Sequence, residues 1–434
     1  MKRNANADLL KWKQSNSRKP LIIRGARQVG KTWLMKEFGL QEYAKRAYIN
    51  FESSAALKTL FSADFDIRRI LAAIQIETGV SIEHNNTLII LDEIQEAPGA
   101  LTCLKYFQEN APQYHVISAG SLLGVALSEH TSFPVGKVDF LDLHPISFTE
   151  FLEATGEKSL LDLLVQHDWP LVKTFKTRFI ERLKQYYYVG GMPEVVFAFS
   201  QRGDYKEVRE IQKHILIAYE NDFSKHAPAA IVPRIRQVWN SIPAQLAKEN
   251  RKFIYGLIRQ GARAKDYELA MSWLIDCGLV SKVHNVTKPA IPLKAYEDLT
   301  AFKLFMADVG LLAAMTELDV KTLLDGSKIF EEFKGALTEQ YIRQQLVQKQ
   351  SGIYYWSPEN ARSEIDFLIQ ISGQVVPVEV KASDNLQSKS LKVFCQKYNP
   401  KLAIRTSMSD FRREEWMTNL PLYAISETWN LLPD

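Results

Sequence analysis

The chain of 434 residues contains only three cysteines, Cys103, Cys277 and Cys395, and they lie far apart. None belongs to a Cys-x-x-Cys pair or a histidine-rich segment, which excludes a disulfide framework and a zinc ribbon and fits a reducing compartment. No apolar run approaches the ~18–20 residues of a membrane span. The polar N-terminus, residues 1–13, lacks the apolar core of a secretory signal. We therefore expect a cytoplasmic protein without a membrane partner.

The composition lacks the bias of disordered, collagen-like or coiled-coil chains, because 46% of the residues are hydrophobic and 24% are charged. The net charge of +4 is small but unevenly distributed. Residues 1–47 hold twelve Lys or Arg against three acids, and residues 225–265 hold nine Lys or Arg against the single acid Glu249. Two basic zones of this kind favour ligands that carry phosphate.

Short apolar runs alternate with helical segments in the first third of the chain. The predicted strands are 20–24, 47–51, 87–91, 114–119 and 137–141. Nearly continuous apolar strands separated by helices are typical of a parallel sheet covered on both faces, so we predict a doubly wound α/β domain. The helical pattern of residues 147–201, interrupted at Gly190-Gly191-Met192-Pro193, predicts a helical lid on that domain.

The rest of the chain divides into a helical part and a mixed part. Residues 203–322 are predicted to be mostly helical, with a hairpin near 279–296 that would complete a winged helix. A helix at 337–350 and strands at 353–356, 364–371 and 375–381 predict a small α/β domain at the end. The predicted domains are 1–200, 201–329 and 330–434.

A phosphate-binding loop is predicted between the first strand and its helix. Its residues fit the pattern G-x-x-x-x-G-K-S/T: Gly25, Ala26, Arg27, Gln28, Val29, Gly30, Lys31 and Thr32. The glycines let backbone N–H groups surround the phosphates, and the helix N-terminus adds positive potential. We expect Lys31 to reach the β- and γ-phosphates and the Thr32 hydroxyl to bind Mg²⁺. The loop therefore predicts a nucleoside triphosphate site.

The strand Leu88–Leu91 ends in two acids, Asp92 and Glu93. We expect Asp92 to hold Mg²⁺ through water and Glu93 to orient or deprotonate the attacking water. The alternative is a strand that ends in charged surface residues. Ser118 and Ser121, around the end of the next strand, are candidates for sensing the γ-phosphate; a plain Gly-Ser turn is the alternative. No Asn/Thr-Lys-x-Asp motif for reading guanine occurs in the first domain.

Residues 18–152 resemble the AAA-type P-loop ATPases of bacteria and archaea, in the segments RKPLIIRGARQVGKTWLMKEF, LIILDEIQ, SAGSLLG and PISFTEFL. Later segments, YYVGGMPEVV, IRQVWNSIPAQLAKENRKFIY, GARAKDYELAMSWLIDCGLV and FKLFMADVGLL, are similar to an uncharacterised region commonly joined to that ATPase. The resemblance implies ATP as the nucleotide, an AAA-like core, a winged-helix segment and a nuclease-like C-terminal fold. No arginine finger is assigned, although Lys137 and Arg27 lie near the site in sequence. The sequence is compatible with a homo-oligomeric ring, a dimer or a monomer.

The last domain carries Glu339 on a helix, Asp366 on a strand and Glu379-Val380-Lys381 on the next strand, which looks like the PD-(D/E)XK nuclease signature. A hairpin that turns at Ser372-Gly373 would place Asp366 opposite Glu379, with Lys381 on the same side. Facing carboxylates repel each other unless a cation binds between them. We therefore expect Asp366 and Glu379 to bind Mg²⁺, Lys381 to activate water or stabilise charge, and Glu339 to assist.

Two alternatives to a nuclease site stay open. In the first, the hairpin places its charges in solvent and Glu364 forms a surface pair with Lys381. In the second, the nuclease-like fold serves only to bind nucleic acid.

The second basic zone predicts a DNA contact. A helix bearing Arg259, Arg263 and Lys265 is expected to lie against phosphates. Its alternatives are a solvated helix face and pairing with acids of another domain, and we expect the nearby aromatic residues to lie in the core. The whole chain is predicted to be a Mg²⁺-dependent ATPase coupled to a domain that interacts with DNA, and cleavage of DNA by that domain is a further hypothesis. The alternative is a nucleotide-dependent switch that binds an unknown protein partner and carries an inert nuclease-like fold.

Overall fold

The computed structural model describes residues 1–63, 65–120, 134–248, 252–325, 331–350, 352–358, 363–382 and 387–431. The chain divides into two compact units. The first comprises Met1–His144 and Asp276–Leu279, and the second comprises Pro145–Ile275 and Val280–Asp434. The three-domain division stays a prediction. None of the described helices is both long and apolar enough to cross a bilayer.

A five-stranded parallel sheet forms the centre of the first unit. Its strands are β1 (Leu21–Arg24), β2 (Lys45–Asn50), β3 (Thr87–Asp92), β4 (His115–Ala119) and β5 (Asp139–Asp142), in the order β2-β3-β4-β1-β5. Every residue of β3 is buried, as expected for an apolar strand covered on both faces. The predicted doubly wound α/β fold is confirmed, and each predicted strand is present within two residues of its predicted bounds.

Five described helices belong to the first unit: α1 (Ala5–Gln14), α2 (Lys31–Glu42), α3 (Ala55–Ala63), α4 (Ile67–Thr78) and α5 (Pro98–Asn110). Helix α4 shows why such segments begin and end where they do. The Asp66 side chain accepts a hydrogen bond from Arg68 N at its start, and Gly79 at φ 67° ends it. Apolar residues of α3, α4 and α5 pack with Ile22, Ile49 and Ile89 of the sheet in one core. Each large apolar side chain buried there contributes about 1.5–3 kcal/mol.

The second unit begins with the helices predicted for residues 147–201. They are α6 (Phe148–Ala154), α7 (Lys158–Val165), α8 (Trp169–Thr174), α9 (Lys176–Val189) and α10 (Pro193–Arg202). Helix α6 begins with a capping box in which Ser147 and Glu150 exchange side-chain and backbone hydrogen bonds. Helix α9 ends at Gly190, whose φ is 72° and where an added Cβ would lie 2.2 Å from Asp308 Oδ1. Only glycine fits that position.

Seven further described helices follow: α11 (Tyr205–His226), α12 (Val232–Leu246), α13 (Ala264–Asp276), α14 (Val309–Met315), α15 (Val320–Asp325), α16 (Glu331–Leu346) and α17 (Lys389–Tyr398). The prediction that Arg259, Arg263 and Lys265 lie on one helix is wrong in part. Arg259 and Arg263 lie in the turns that precede α13, and only Lys265 is helical. Gly256 and Gly261, the latter at φ 78°, lie in this segment. Glycine disfavours helix because it loses the most backbone entropy.

A mixed sheet of eight strands forms the other layer of the second unit. Its strands are β6 (Val280–Val286), β7 (Glu297–Met306), β8 (Ile353–Trp356), β9 (Ile365–Ile371), β10 (Gln374–Val380), β11 (Ile404–Ser407), β12 (Arg412–Arg413) and β13 (Thr418–Pro421). Their order is β12-β13-β11-β10-β9-β8-β6-β7. Strands β6 and β7 form the predicted hairpin, but its second strand begins after residue 296, because Pro289, Pro292 and a short 3-10 turn intervene. Since β6 also pairs with β8 in parallel, the hairpin continues the C-terminal sheet.

The predicted register of the β9–β10 hairpin is confirmed. Gln374 pairs with Ile371, and the ladder continues to Val378 opposite Phe367. Ser372 and Gly373 have φ values of 47° and 71°, as a two-residue type I′ turn requires. The predicted apolar face is buried at Phe367, Ile369, Val376 and Val378. Beyond Val378, Val380 N donates a 2.7 Å hydrogen bond to the Asp366 carboxylate.

Candidate functional site

The phosphate loop connects β1 to α2 in the first unit. Gly25 and Gly30 have positive φ values of 147° and 92°, and Gly30 is the residue before the first turn of α2. A Cβ at Gly25 would lie 2.2 Å from Leu143 O, so no other residue fits there. The first N–H groups of α2 have no partner within the helix and carry its positive end. The loop thus has the geometry of an anion site.

Lys31 lies at the start of α2 and is only 6% exposed. Its Nζ donates hydrogen bonds to Gly25 O at 2.9 Å and Ala26 O at 2.8 Å. Burial lowers the pKa of Lys31 to about 8, although the charges of Glu93 and Asp92 oppose this effect. The ammonium is therefore inside the loop and charged at neutral pH, where it can meet a phosphate.

Asp92 and Glu93 lie at the end of β3, beside the loop. Asp92 is 3% exposed, and its carboxylate accepts hydrogen bonds from the Thr32 side chain and, at 2.9 Å, from the Tyr48 hydroxyl. Burial raises the pKa of Asp92, which these two hydrogen bonds oppose. The contact between Thr32 and Asp92 brings together the two oxygen groups predicted to hold Mg²⁺, and oxygen ligands suit that ion.

Glu93 adopts a left-handed backbone conformation, with φ 49° and ψ 48°. Its Oε2 accepts a 2.7 Å hydrogen bond from Gln95 Nε2. A non-glycine residue in this region of φ and ψ is uncommon and is often associated with function.

The other residues singled out near the loop have different surroundings. Ser118 is buried, and its hydroxyl donates to Leu21 O at 3.1 Å. Ser121 lies outside the described residues. Lys137 forms a 3.0 Å ion pair with Glu109, whereas the charge of Arg27 is close enough to lower the pKa of Lys31. No arginine finger is assigned to either cation.

The sequence analysis missed two residues that hold this site in place. Tyr48 is one, through its hydrogen bond to Asp92. Arg3 is the other: it is buried, and its guanidinium donates to Val29 O of the loop at 3.1 Å and to His144 O at 2.6 Å. Neither residue lies in a motif, so only the folded chain reveals their roles.

The second unit contains an acidic cleft of about 320 Å³. Helix α16, strands β9 and β10 and the residues that follow β10 supply its charged lining: Glu339, Glu364, Asp366, Glu379 and Lys381. All four residues of the predicted nuclease-like signature therefore lie around one cleft.

Glu379 is the most deeply placed acid of this hairpin, at 3% exposure. Its Oε1 lies 3.2 Å from Lys381 Nζ, and its buried Oε2 forms no hydrogen bond of normal geometry within the described parts of the chain, although the Ser388 side chain is near enough to Glu379 to lower its pKa. Burial raises the pKa of Glu379, and the charge of Lys381 opposes this effect. The alternative surface pair between Glu364 and Lys381 is not formed, because Lys381 pairs with Glu379 and Glu364 pairs elsewhere.

Lys303 of β7 is the partner of Glu364 and was missed in the sequence. Its side chain is fully buried, with Nζ 2.5 Å from Glu364 Oε1 and 3.5 Å from Glu339 Oε2. It also lies 5.1 Å from the centre of the Tyr355 ring. A lysine inside the apolar run AFKLFM was the available signal, since lysine is almost never fully buried unless it is paired.

Across the described segments, no group of three or more His, Cys, Asp or Glu side chains is arranged to hold a metal ion. Asp366 and Glu379 form a smaller set of oxygen donors. The unsatisfied Glu379 Oε2 fits a cation there, because a buried carboxylate oxygen without a partner is costly.

The second basic zone is exposed in the second unit. Arg259, Arg263 and Lys265 all face solvent, and none forms an ion pair with another described residue. Arg259 and Arg234 line a cleft of about 380 Å³. Of the aromatic residues expected in the core, Trp239 and Phe253 are buried.

A family model matches the first part of the chain. Residues 17–152 match the model of an AAA domain. This segment, the AAA domain, has the P-loop NTPase fold and is similar to AAA domains. Residues 180–322 and 334–425 match two domains of unknown function, DUF8612 and DUF4143. No curated protein matches the chain. The AAA domain therefore carries the phosphate loop and the acids that follow β3.

Several solved structures are similar to this chain. The Walker-type ATPase PABY2304 of Pyrococcus abyssi is 15% identical over 73% of this chain and 95% of its own, with a TM-score of 0.47. The ORC2 protein of Aeropyrum pernix, in ADPNP–ADP complexes, is 16% identical over 75% and 95%, with a TM-score of 0.39. The RuvB Holliday junction branch migration motor of Thermotoga maritima is 12% identical over 65% and 90%, with a TM-score of 0.30.

Proposed function

We propose that the AAA domain binds and hydrolyses ATP with Mg²⁺, and that this turnover serves a DNA-cleaving activity of the second unit. In the AAA domain, the loop and Lys31 bind the phosphates, and Thr32 and Asp92 hold Mg²⁺. Glu93 orients or deprotonates the attacking water. Mg²⁺ held by Thr32 and Asp92 would neutralise charge that develops on the phosphates.

The observation that carries the cleavage proposal is the acidic cleft with its unsatisfied Glu379 Oε2. A divalent cation held by Asp366 and Glu379 would polarise a phosphodiester and lower the pKa of water. Lys381 has a partly exposed side chain, 32% accessible, and would stabilise the negative charge that develops on the phosphate oxygens. Glu339 lines the same cleft and would help to orient the reacting groups.

Plasmid DNA with Mg²⁺ tests this proposal. The wild-type chain is expected to nick or linearise the plasmid, and Lys381→Ala to lose this activity by at least about a hundredfold. Lys397→Ala removes an exposed lysine of the same unit and is the matched control. Equal and negligible cleavage by the wild type and Lys381→Ala would refute the nuclease activity.

The exposed basic residues are proposed to bind the DNA backbone. Each phosphate contact releases counterions, so replacing Arg259, Arg263 and Lys265 by Ala should reduce the slope of log K against log salt by up to about three. The control replaces three other exposed lysines of the unit, Lys158, Lys206 and Lys213. Fluorescence anisotropy with a labelled duplex measures both. Equal slopes for the two triple variants would contradict this assignment.

A second candidate is a nucleotide-dependent switch that binds a protein partner and has an inert cleft. The ion pairs of Lys303 and Lys381 favour it, because they already neutralise part of the acidic charge. This candidate predicts that ATP turnover is the same with and without DNA. Stimulation of phosphate release by plasmid DNA, absent in the Arg259, Arg263 and Lys265 triple variant, would exclude it.

A further inference from the structure

The acidic cleft has two halves whose carboxylates pair with different lysines. In one half, Glu339 and Glu364 both face the ammonium group of Lys303, at 3.5 Å and 2.5 Å. Lys303 reaches them from β7. This strand lies before Glu339, the first residue of the nuclease-like signature, in the sequence. Since the Lys303 side chain is fully buried, water does not screen this charge.

In the other half, the paired cation is Lys381, whose side chain is partly exposed. Asp366 accepts a hydrogen bond from Val380 N, and Glu379 pairs with Lys381 through one oxygen only. The second oxygen of Glu379 is buried and forms no hydrogen bond of normal geometry in the described structure. This half therefore retains room for a further positive group.

We propose that Lys303 is a built-in cation that limits the cleft to a single divalent ion, bound at Asp366 and Glu379. This inference rests on the cation site of the proposed function and adds the number of ions that it holds. A second Mg²⁺ bound to Glu339 or Glu364 would lie about 2.1 Å from a carboxylate oxygen. Bound through the oxygen that faces Lys303, it would then lie within about 6 Å of the buried ammonium, and like charges so close in a poorly solvated cleft repel strongly.

The number of bound Mn²⁺ ions tests the proposal directly. The full chain carrying Asp92→Asn, which removes the metal group of the AAA domain, is titrated with Mn²⁺ by calorimetry without nucleotide. The parent is expected to bind one ion. Lys303→Met keeps the length of the side chain but removes its charge, and this variant should bind two ions. Glu364→Gln should leave the single site unchanged within threefold, whereas Glu379→Gln should weaken it at least tenfold.

The outcomes separate this inference from the proposed function. A Lys303→Met chain that binds one ion with the parent's affinity overturns the role of Lys303 but leaves the cation site standing. A parent that binds two ions also overturns it. A parent that binds no ion overturns the cation site at Asp366 and Glu379, and with it the limit of one ion that Lys303 is proposed to set.

Folding of the Lys303→Met chain is checked by circular dichroism, because the substitution leaves two buried carboxylates without their counter-charge. If that chain does not fold, the comparison of Glu364→Gln with Glu379→Gln decides. Equal weakening by both substitutions would mean that Glu364 ligates the ion, which overturns the proposal. Weakening by Glu379→Gln alone supports it.

Discussion

The affinity for ATP should fall as the pH rises above 8, because Lys31 loses its charge there. Burial lowers the pKa of this lysine from 10.5 to about 8, a difference that corresponds to about 3 kcal/mol against the charged form. Bound phosphates supply the negative charge that stabilises the ammonium, so the pKa of Lys31 rises in the complex. Above pH 8, binding therefore takes up a proton, and the dissociation constant should rise about tenfold per pH unit.

Titration with a fluorescent ATP analogue between pH 7.5 and 9.5 measures this effect. The window lies above the last phosphate ionisation, near pH 6, so the nucleotide itself does not titrate. Lys31→Ala should bind weakly at every pH without the slope, and Lys105→Ala, which removes an exposed lysine of the same unit, should keep it. A wild-type dissociation constant that is flat from pH 7.5 to 9.5 would refute the reasoning.

The contribution of Lys31 to the stability of the fold changes with pH in the opposite direction to the affinity for ATP. Between pH 8 and 10.5 the unfolded chain holds the Lys31 proton more often than the folded chain does. The contribution of Lys31 to the free energy of unfolding therefore increases with pH across this range. Thermal melts at the same pH values separate the two effects.

Three further predictions concern single residues. Glu93→Gln should keep ATP binding but reduce phosphate release at least about a hundredfold, since water activation contributes that much; unchanged turnover would remove Glu93 from this role. Tyr48→Phe deletes a hydrogen bond that lowers the pKa of Asp92, so the acid limb of the kcat/KM profile for ATP hydrolysis should move to higher pH, and a superimposable profile would contradict this. Ser372→Asn should raise the free energy of unfolding by up to about 1 kcal/mol, because asparagine tolerates the φ of 47° better than serine; a lower melting temperature would count against the turn assignment.

The features predicted well from the sequence are those whose causes are local. The phosphate loop depends on eight consecutive residues between a strand and a helix. The register of β9 and β10 follows from a two-residue turn and from alternating side chains, both of which lie within one short segment.

The features that sequence reasoning missed depend on distant parts of the chain. Lys303 meets Glu364 across 61 positions of sequence, and Arg3 meets His144 across 141. Spacing rules carry no information about such contacts. The absence of a helix at Arg259 and Arg263 has a local cause instead, because Gly256 and Gly261 beside them disfavour a helix.

The parallel pairing of β6 with β8 has a consequence for dividing this protein into fragments. A fragment that starts near residue 330 would contain the whole nuclease-like signature but would lose β6 and β7, two of the eight strands. The backbone edge of β8 would then be exposed at Tyr354 and Tyr355, which pair with His284 and Asn285 in the full chain. Unpaired edges of this kind promote association between chains. The fragment would also lack Lys303, so a chain that begins near Pro145 and keeps the whole second unit is the natural unit for expressing the cleft.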